Sequence, residues 1–254
     1  MPVTKNDIPI LEYDTEKTAV IMPARKELYL FPEKCVFPFL GDEIENYATA
    51  HGCEIIGEFT CITKIYHIYK ATHDGHDVCL CQAPLGSSAS VQLMDFLIGY
   101  GVKEIISAGS CGALLDFPEN ELLIPTEALR DEGTSYHYLP PSRTVTINTH
   151  AVDAIKTALT KKSVKFEQCK TWTTDGFYRE TPEMVAYRKE EGCAVVDMEC
   201  AGLAACAEFR SVKFGQILFT ADSLANVDAY DERDWGNASF SIALELALDA
   251  VCEM

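Results

Sequence analysis

Positive charge is scarce in this chain. Among its 254 residues, 21 are Lys or Arg and 39 are Asp or Glu, so the formal net charge is −18. The basic residues form no run, which makes long-range attraction to a phosphate backbone or an acidic membrane surface unfavourable. We therefore expect no nucleic-acid partner, and a strongly anionic substrate would need a local cationic pocket.

Long hydrophobic runs are also missing. No segment approaches the roughly 20 apolar residues that span a bilayer, and the first ten residues, MPVTKNDIPI, lack the apolar core of a secretory signal. We expect no membrane partner and a cytoplasmic location. The eleven cysteines include no Cys-x-x-Cys pair and lie mostly in apolar segments, which is typical of buried free thiols in a reducing compartment.

The chain contains no Pro-, Gly- or Ser-rich divider, so residues 1–254 are interpreted as one domain. Short apolar runs alternate with amphipathic stretches, which predicts an α/β fold with a central mixed, twisted sheet and helices on both faces. Predicted strands cover 18–23, 58–71, 76–83, 104–106, 164–173, 193–196 and 212–220, and predicted helices cover 41–51, 86–100, 149–161, 181–191, 198–209 and 237–252.

A small-residue segment follows one predicted strand. In EIISAGSCGAL (104–114), the apolar run changes into a stretch of Gly and Ser that has no Lys or Arg. Such a loop lets backbone N–H groups approach a ligand closely, most often an anion. Gly109 and Ser110 are the candidate binding residues, and a tight strand-to-helix turn is the alternative interpretation.

Carboxylates stand at the ends of two apolar strands, where open α/β sheets bind ligands. In VVDMECAGLAACAEF (195–209), Asp197 and Glu199 begin a predicted helix, where they either stabilise its positive end or accept hydrogen bonds from a polyol. In QILFTADSL (216–224), Asp222 is predicted at a cleft rim with a raised pKa, which suits a general acid. A helix cap or turn is its alternative role.

Two other patterns indicate a function less specifically. Phe177 and Tyr178 either stack on a planar ring or belong to the core. His73 and His76 flank a predicted Asp-Gly turn but lack a third ligand, so we predict no metal site.

Taken together, these segments resemble the nucleoside phosphorylase superfamily, which includes hexameric purine nucleoside phosphorylase, uridine phosphorylase and the methylthioadenosine/S-adenosylhomocysteine nucleosidases. VIMPARKEL is similar in position to the phosphorylases' Pro-Gly-Asp-Pro loop. The similarity covers most of the chain in the same order and is carried by TKND (4–7), VIMPARKEL (20–28), GVKEIISAGSCGAL (101–114), RDEGTSYHYLP (130–140), TTDGFY (173–178) and VVDMECAGLAACAEF (195–209).

The resemblance implies a role for each matching residue in the sugar and nucleophile sites. Met198 and Glu199 would hold the ribose hydroxyls, and Asp197 replaces the first Glu of the family's sugar motif. Gly109 and Ser110 would approach the sugar and the attacking nucleophile.

The resemblance also assigns the base site. Phe177 would stack on the base, and Asp222 would donate a proton or hydrogen bond to it, assisted by Arg233 of DERDW (231–235). A purine is favoured, because the Gln/Arg segment with which the uridine enzymes bind pyrimidine carbonyls is not evident between 178 and 195.

By the resemblance, the chain departs from the phosphorylases at their three phosphate-binding arginines, whose positions are matched by Leu28, Gly57 and Ser107. Each charge-assisted hydrogen bond is worth about 1.5–3 kcal/mol, so losing three weakens phosphate binding by several decades. Arg25 and Lys26 are near enough in sequence to compensate in part.

The resemblance leads to one main hypothesis and two alternatives. The main one is cleavage of the N-glycosidic bond of a purine-type nucleoside, with hydrolysis favoured and Glu27 activating water, although Glu27 also fits a solvated helix start. One alternative is a phosphate-dependent purine or uridine phosphorylase with a rebuilt anion site. The other is a catalytically silent nucleoside-binding or structural homologue. No cofactor is implied beyond phosphate as a possible co-substrate, and the family implies a homo-oligomer, a dimer or a trimer of dimers.

Overall fold

The computed structural model describes residues 3–25 and 28–254. The predicted α/β class is confirmed. The six helices of the described residues are α1 (Glu43–His51), α2 (Ser87–Gly99), α3 (Thr149–Lys161), α4 (Pro182–Glu190), α5 (Cys200–Arg210) and α6 (Phe240–Cys252). The ten strands are β1 (Lys34–Val36), β2 (Glu54–Thr60), β3 (Ile65–His73), β4 (His76–Leu80), β5 (Glu104–Ala113), β6 (Leu122–Asp131), β7 (Thr144–Thr146), β8 (Glu167–Thr174), β9 (Val195–Asp197) and β10 (Lys213–Ser223).

The strands form one mixed sheet in the order β10-β6-β8-β9-β5-β1-β4-β3-β2, with β7 paired to β6. Because β10 also pairs with β5, the strands β5, β10, β6, β8 and β9 close into a ring. The β5–β10 and β6–β8 pairs are parallel, whereas β5–β9 and β6–β10 are antiparallel. The closed part of the sheet carries the candidate site.

Helices cover both faces of the sheet, as predicted. Helices α3 and α6 pack against each other and against β10 and β5, while α2 packs against α5. The α2–α5 contact is close because residue 202 is glycine, whose added Cβ would lie 2.9 Å from the Ser87 Cβ. The main core between these layers includes Leu97, Ile105, Phe214 and Leu246, all buried.

The predicted strand at 18–23 is wrong. This segment forms no strand, and its side chains face solvent, with Val20 fully exposed. The first strand is β1, which lies between β4 and β5 and buries Cys35 and Val36 completely. Three residues are too few to show a strand period, whereas an exposed aliphatic run looks like a strand in the sequence.

Three further differences concern strands. The segment 104–113 is strand β5 throughout, because β10 and β9 pair with its second half. Residues 58–71 belong to two antiparallel strands, β2 and β3, rather than one. Strands β6 and β7 were not predicted at all. The six predicted helices are confirmed within three residues at each end, and α3 has the predicted bounds, with Asn148 accepting a 3.1 Å hydrogen bond from the Ala151 amide.

All eleven cysteines are free and most are buried, in line with the sequence. None of the helices within 3–25 and 28–254 is long and apolar enough to cross a membrane.

Candidate functional site

A cavity of about 750 Å³ lies where β5, β10, the β9–α5 junction and the segment after β8 meet. It brings together seven of the residues to which the resemblance assigns a place in the site: Gly109, Ser110, Phe177, Asp197, Met198, Glu199 and Asp222. Arg233 lies behind one wall, and Glu27 lies outside the described residues, as does Lys26.

Asp197 is held in place entirely by the protein. Its Oδ1 accepts 2.8 Å hydrogen bonds from the hydroxyls of Thr171 and Thr173, and its Oδ2 accepts from the backbone amides of Glu199 (2.9 Å) and Cys200 (2.6 Å). These four donors occupy the lone pairs of the carboxylate. Asp197 therefore ties β8 and β9 to the start of α5, which is the helix-stabilising role rather than the polyol-binding one.

Glu199 is buried at the cavity wall and has one oxygen to spare. Its Oε1 accepts a 2.6 Å hydrogen bond from the Gly86 amide, while Oε2 accepts none from the described residues. Burial, and secondarily the charge of Asp197, raises the pKa of Glu199 to about 8. A carboxyl group in this position can accept hydrogen bonds from sugar hydroxyls, and such donors would favour its ionised form.

Asp222 lies near the end of β10 and is 5% exposed. The Tyr230 hydroxyl donates to its Oδ2 at 3.1 Å, and burial raises the pKa of its carboxyl group. Its Oδ1 lies over Gly112, where an added Cβ would be 3.3 Å from that oxygen and 2.9 Å from Val196. Glycine in the small-residue segment thus lets β5 pass beneath the acid.

Arg233 supports this wall without touching the acid directly. Its guanidinium donates to the carbonyl oxygens of Phe117 at 2.7 Å and Ala221 at 3.4 Å. Its positive charge also lowers the pKa of Asp222, opposing the larger effect of burial. Arg233 is therefore a positioning residue for the strand end that carries Asp222.

Phe177 and Tyr178 are cavity residues and not core residues. They are 39% and 93% exposed, and their rings meet edge to face with centroids 5.0 Å apart. Trp235, 44% exposed, lines the same cavity. These rings offer a planar base an aromatic surface.

Sequence reasoning missed Glu180. It is half-buried, and it lines both this cavity and an adjoining one of about 500 Å³, as Asp222 does. Burial, followed by the charge of Asp222, raises its pKa to about 7. Glu180 directly precedes the predicted helix 181–191, and an acid at that point of a sequence gives no signal that it lines a cavity.

The cavity is poor in positive charge. Arg179 is the one basic side chain among its described lining residues, and it is largely exposed. Leu28 is 99% exposed, and Gly57 packs against Phe31, so neither lines this cavity. Arg25 lines a separate groove of about 930 Å³, and its amide donates to the Tyr100 hydroxyl.

One cluster elsewhere has ligand types that metals use. His73, Asp74 and Asp249 place ligand atoms within 4.8 Å of one another. The His73 Nε2 lies 2.8 Å from Asp249 Oδ1, and Lys162 Nζ lies 3.1 Å from Asp249 Oδ2. Because Lys162 already compensates the aspartate, the cluster is an ion-pair network that joins the β3–β4 turn to α6.

The chain is similar to known proteins over most of its length. The sequence model of the "Phosphorylase superfamily" matches residues 34–251, and the chain belongs to this family. A DeoD-type purine nucleoside phosphorylase from Buchnera aphidicola subsp. Acyrthosiphon pisum is 26% identical over 200 residues, 74% of this chain and 82% of that protein.

Two solved structures have the same fold. AMP nucleosidase from Bacteroides thetaiotaomicron superposes with a TM-score of 0.71 and 23% identity, covering 87% of this chain and 88% of the other. Uridine phosphorylase from Vibrio fischeri gives a TM-score of 0.76 and 21% identity, covering 88% and 93%.

One segment of the resemblance lies outside the family match. The match begins at Lys34, the first residue of β1, and VIMPARKEL precedes it. The segment that leaves β1 at the cavity is 37–40, which contributes Phe39. The family match therefore does not cover Leu28, whose assignment to the position of a phosphate-binding arginine stays a prediction of the resemblance. The superfamily consists of enzymes that act on nucleosides, and both phosphorylases and a nucleosidase are among the similar proteins.

Proposed function

We propose that this chain cleaves the N-glycosidic bond of a purine-type nucleoside, with water as the favoured nucleophile. The observation that carries the proposal is the single cavity in which a buried acid (Asp222), exposed aromatic rings and a spare carboxylate oxygen (Glu199) meet with only Arg179 as a basic lining residue among those described. This arrangement supports a leaving-group acid and a sugar-binding carboxylate as roles for the two groups, and it offers little to hold a phosphate dianion.

In the proposed reaction, the bond between the sugar C1′ and the base nitrogen breaks, and its electron pair leaves with the base. Protonated Asp222 gives its proton to a ring nitrogen of the departing base. Glu199 binds the ribose hydroxyls and stabilises the positive charge that develops on the sugar. Water adds its hydroxyl to C1′ and gives its proton to a general base of the protein. Glu27 remains the predicted residue for this role. The products are free base and free ribose.

Phosphorolysis is the second candidate, and Arg179 is the observation that favours it. Its exposed guanidinium lines the cavity and has the geometry to bind phosphate oxygens in pairs. Arg25 does not help within one chain, because it lines the other groove. In this alternative, phosphate would be a co-substrate and sugar 1-phosphate the product.

We also propose that the chain self-associates, as a dimer or a trimer of dimers. Exposed aliphatic side chains support this proposal, because Val20, Leu28, Leu30 and Ile62 are each more than four-fifths exposed. Light scattering coupled to size-exclusion chromatography tests it, and a monomer at micromolar concentration would contradict it.

The proposed function is tested by incubating the protein with purine nucleosides, with and without phosphate, and identifying the sugar product. Asp222→Asn is the matched inactive variant, because it keeps the shape of the side chain and removes the proton that the acid would donate. Thermal-shift titration with nucleosides accompanies the assay. Stabilisation without turnover would identify a silent binding protein, and neither response would indicate a structural homologue.

A further inference from the structure

Two buried polar side chains are neighbours across the β5–β10 pair, and each has an atom without a hydrogen-bond partner among the described residues. Ser107 and Gln216 are register partners in the two parallel strands, and they are 0% and 1% exposed. Neither Ser107 Oγ nor Gln216 Oε1 has a hydrogen-bond partner among the described residues. Buried polar groups are nearly always hydrogen-bonded, to protein or to ordered water, because leaving them unpaired is costly.

The pair reaches the candidate site. Register partners in neighbouring strands project to the same face of a sheet, so the hydroxyl and the amide are neighbours. Gln216 lines the 750 Å³ cavity together with Ser110 and Glu199. Gln216 therefore lies at the floor of the space that would receive the sugar, and its register partner Ser107 lies beside it, buried in the sheet.

The chemistry of the pair favours a neutral ligand that both donates and accepts hydrogen bonds. A hydroxyl and a carboxamide are neutral, and together they offer donors and acceptors to a small molecule that both donates and accepts. A buried water typically makes two to four such hydrogen bonds. A phosphate dianion would find no countercharge in either side chain, and burying a charge without a partner is far more costly than burying water.

We propose that Ser107 and Gln216 bind the water molecule that attacks C1′. This inference rests on the proposed hydrolysis and deepens it by naming residues that bind the nucleophile. The pair orients a water oxygen towards the sugar. One O–H bond of the water breaks as the C1′–O bond forms, and its proton passes to the general base of the proposed reaction, not to Ser107 or Gln216. Ser107, the position at which the phosphorylases carry an arginine by resemblance, then belongs to a site rebuilt for a neutral nucleophile.

The test compares Ser107→Ala and Gln216→Leu with the wild-type protein in phosphate-free buffer containing methanol. We expect kcat for nucleoside cleavage to fall at least about tenfold in each variant, the effect of about 1.4 kcal/mol in the barrier, with KM nearly unchanged. We also expect Ser107→Ala to raise the ratio of methyl riboside to ribose, because the smaller side chain admits the methyl group. The thermal unfolding midpoint should stay nearly level, since neither Ser107 Oγ nor Gln216 Oε1 has a hydrogen bond to a described residue that the substitution would remove.

Ser239→Ala is the matched control. Ser239 is buried outside the cavity, and its hydroxyl donates a 2.7 Å hydrogen bond to Asn120. This variant should lower the unfolding midpoint and keep both kcat and the product ratio.

Three results would overturn the inference. If both variants hydrolyse the nucleoside at the wild-type rate and product ratio, the pair does not bind the nucleophile, and the proposed hydrolysis still stands. If they lose stability and activity together, with an unchanged product ratio, their role is structural. If the wild-type protein requires phosphate, the proposed function itself fails, and the water site fails with it.

Discussion

At the scale of single residues, three carboxyl groups near one cavity have different chemistry because their neighbours differ. Asp197 accepts hydrogen bonds from four donors and stabilises the fold. Glu199 accepts a hydrogen bond from the Gly86 amide at Oε1 and keeps Oε2 for a ligand. Asp222 meets one phenol and little water. Sequence spacing could indicate that acids gather here, but it could not tell which of them would be satisfied by hydroxyls from another strand.

The Tyr230 hydroxyl sets how readily Asp222 gives up its proton. Its hydrogen bond favours the carboxylate, so Tyr230→Phe should raise the pKa of Asp222 further. If Asp222 acts as the acid, the alkaline limb of the kcat profile moves to higher pH in this variant. Tyr187→Phe, a change on α4 away from the cavity, should leave the profile in place. An unmoved limb in Tyr230→Phe would contradict the acid role of Asp222.

Glu199 should couple sugar binding to pH. Its pKa of about 8 in the empty site leaves it largely protonated at neutral pH, while sugar hydroxyls favour the carboxylate. KM for the nucleoside should therefore fall as pH rises towards about 8, and Glu199→Gln should abolish this dependence. A KM that is independent of pH in the wild-type protein would contradict the sugar-binding role.

The same shift has a consequence for stability. The folded-state pKa of Glu199 lies above its ordinary value of 4.5, so its favourable contribution to stability is complete below pH 4.5 and is lost as pH rises through about 8. Glu199→Gln should raise the unfolding midpoint more at pH 8 than at pH 5, which calorimetry at the two pH values can measure. An equal change at both would show that the group is not buried as described.

At the scale of elements, the site depends on how β8, β9 and α5 are tied together. The hydroxyls of Thr171 and Thr173 on β8 and the first amides of α5 all converge on Asp197 at the end of β9. This junction fixes the backbone of Met198 and Glu199. The sequence predicted β8, β9 and α5 individually, but the hydrogen bonds between them depend on parallel register, which periodicity does not reveal.

Asp197→Asn tests this junction. The variant keeps the shape but replaces one acceptor oxygen by a donor facing other donors, so we expect a loss of at least about 3 kcal/mol in the free energy of unfolding, measured with urea. Asp153→Asn is an exposed change on α3, where the side chain pairs with Lys156, and it should change the free energy of unfolding by less than about 0.5 kcal/mol. A stable Asp197→Asn that fails to bind the sugar would instead restore a direct ligand role.

The elements that sequence analysis predicted well have strong local signals. Helix α3 has a clear apolar period and a capping Asn148, and α4 begins with Thr181 followed by Pro182. Strand β1 has three residues and owes its place to neighbours on both sides, and the second half of β5 owes its extended form to β10 and β9. Local sequence carries little information about such long-range pairing.

At the scale of the whole molecule, the net charge of −18 and the chemistry of the cavity both disfavour phosphate binding. An acidic protein repels phosphate at long range, and the cavity adds one exposed arginine among its described lining residues. The family and the gathering of seven candidate residues could be predicted from the sequence, because several short motifs occur in order. Glu180, Arg179 and the unpaired Gln216 could not, since only the closed sheet brings them to the cavity.

The most direct test of the proposed hydrolysis is the identity of the sugar product in phosphate-free buffer. With a purine nucleoside as substrate, we expect free ribose and free base. Added phosphate should leave the rate unchanged, and Asp222→Asn should abolish turnover. No turnover without phosphate, with sugar 1-phosphate formed when phosphate is added, would contradict it.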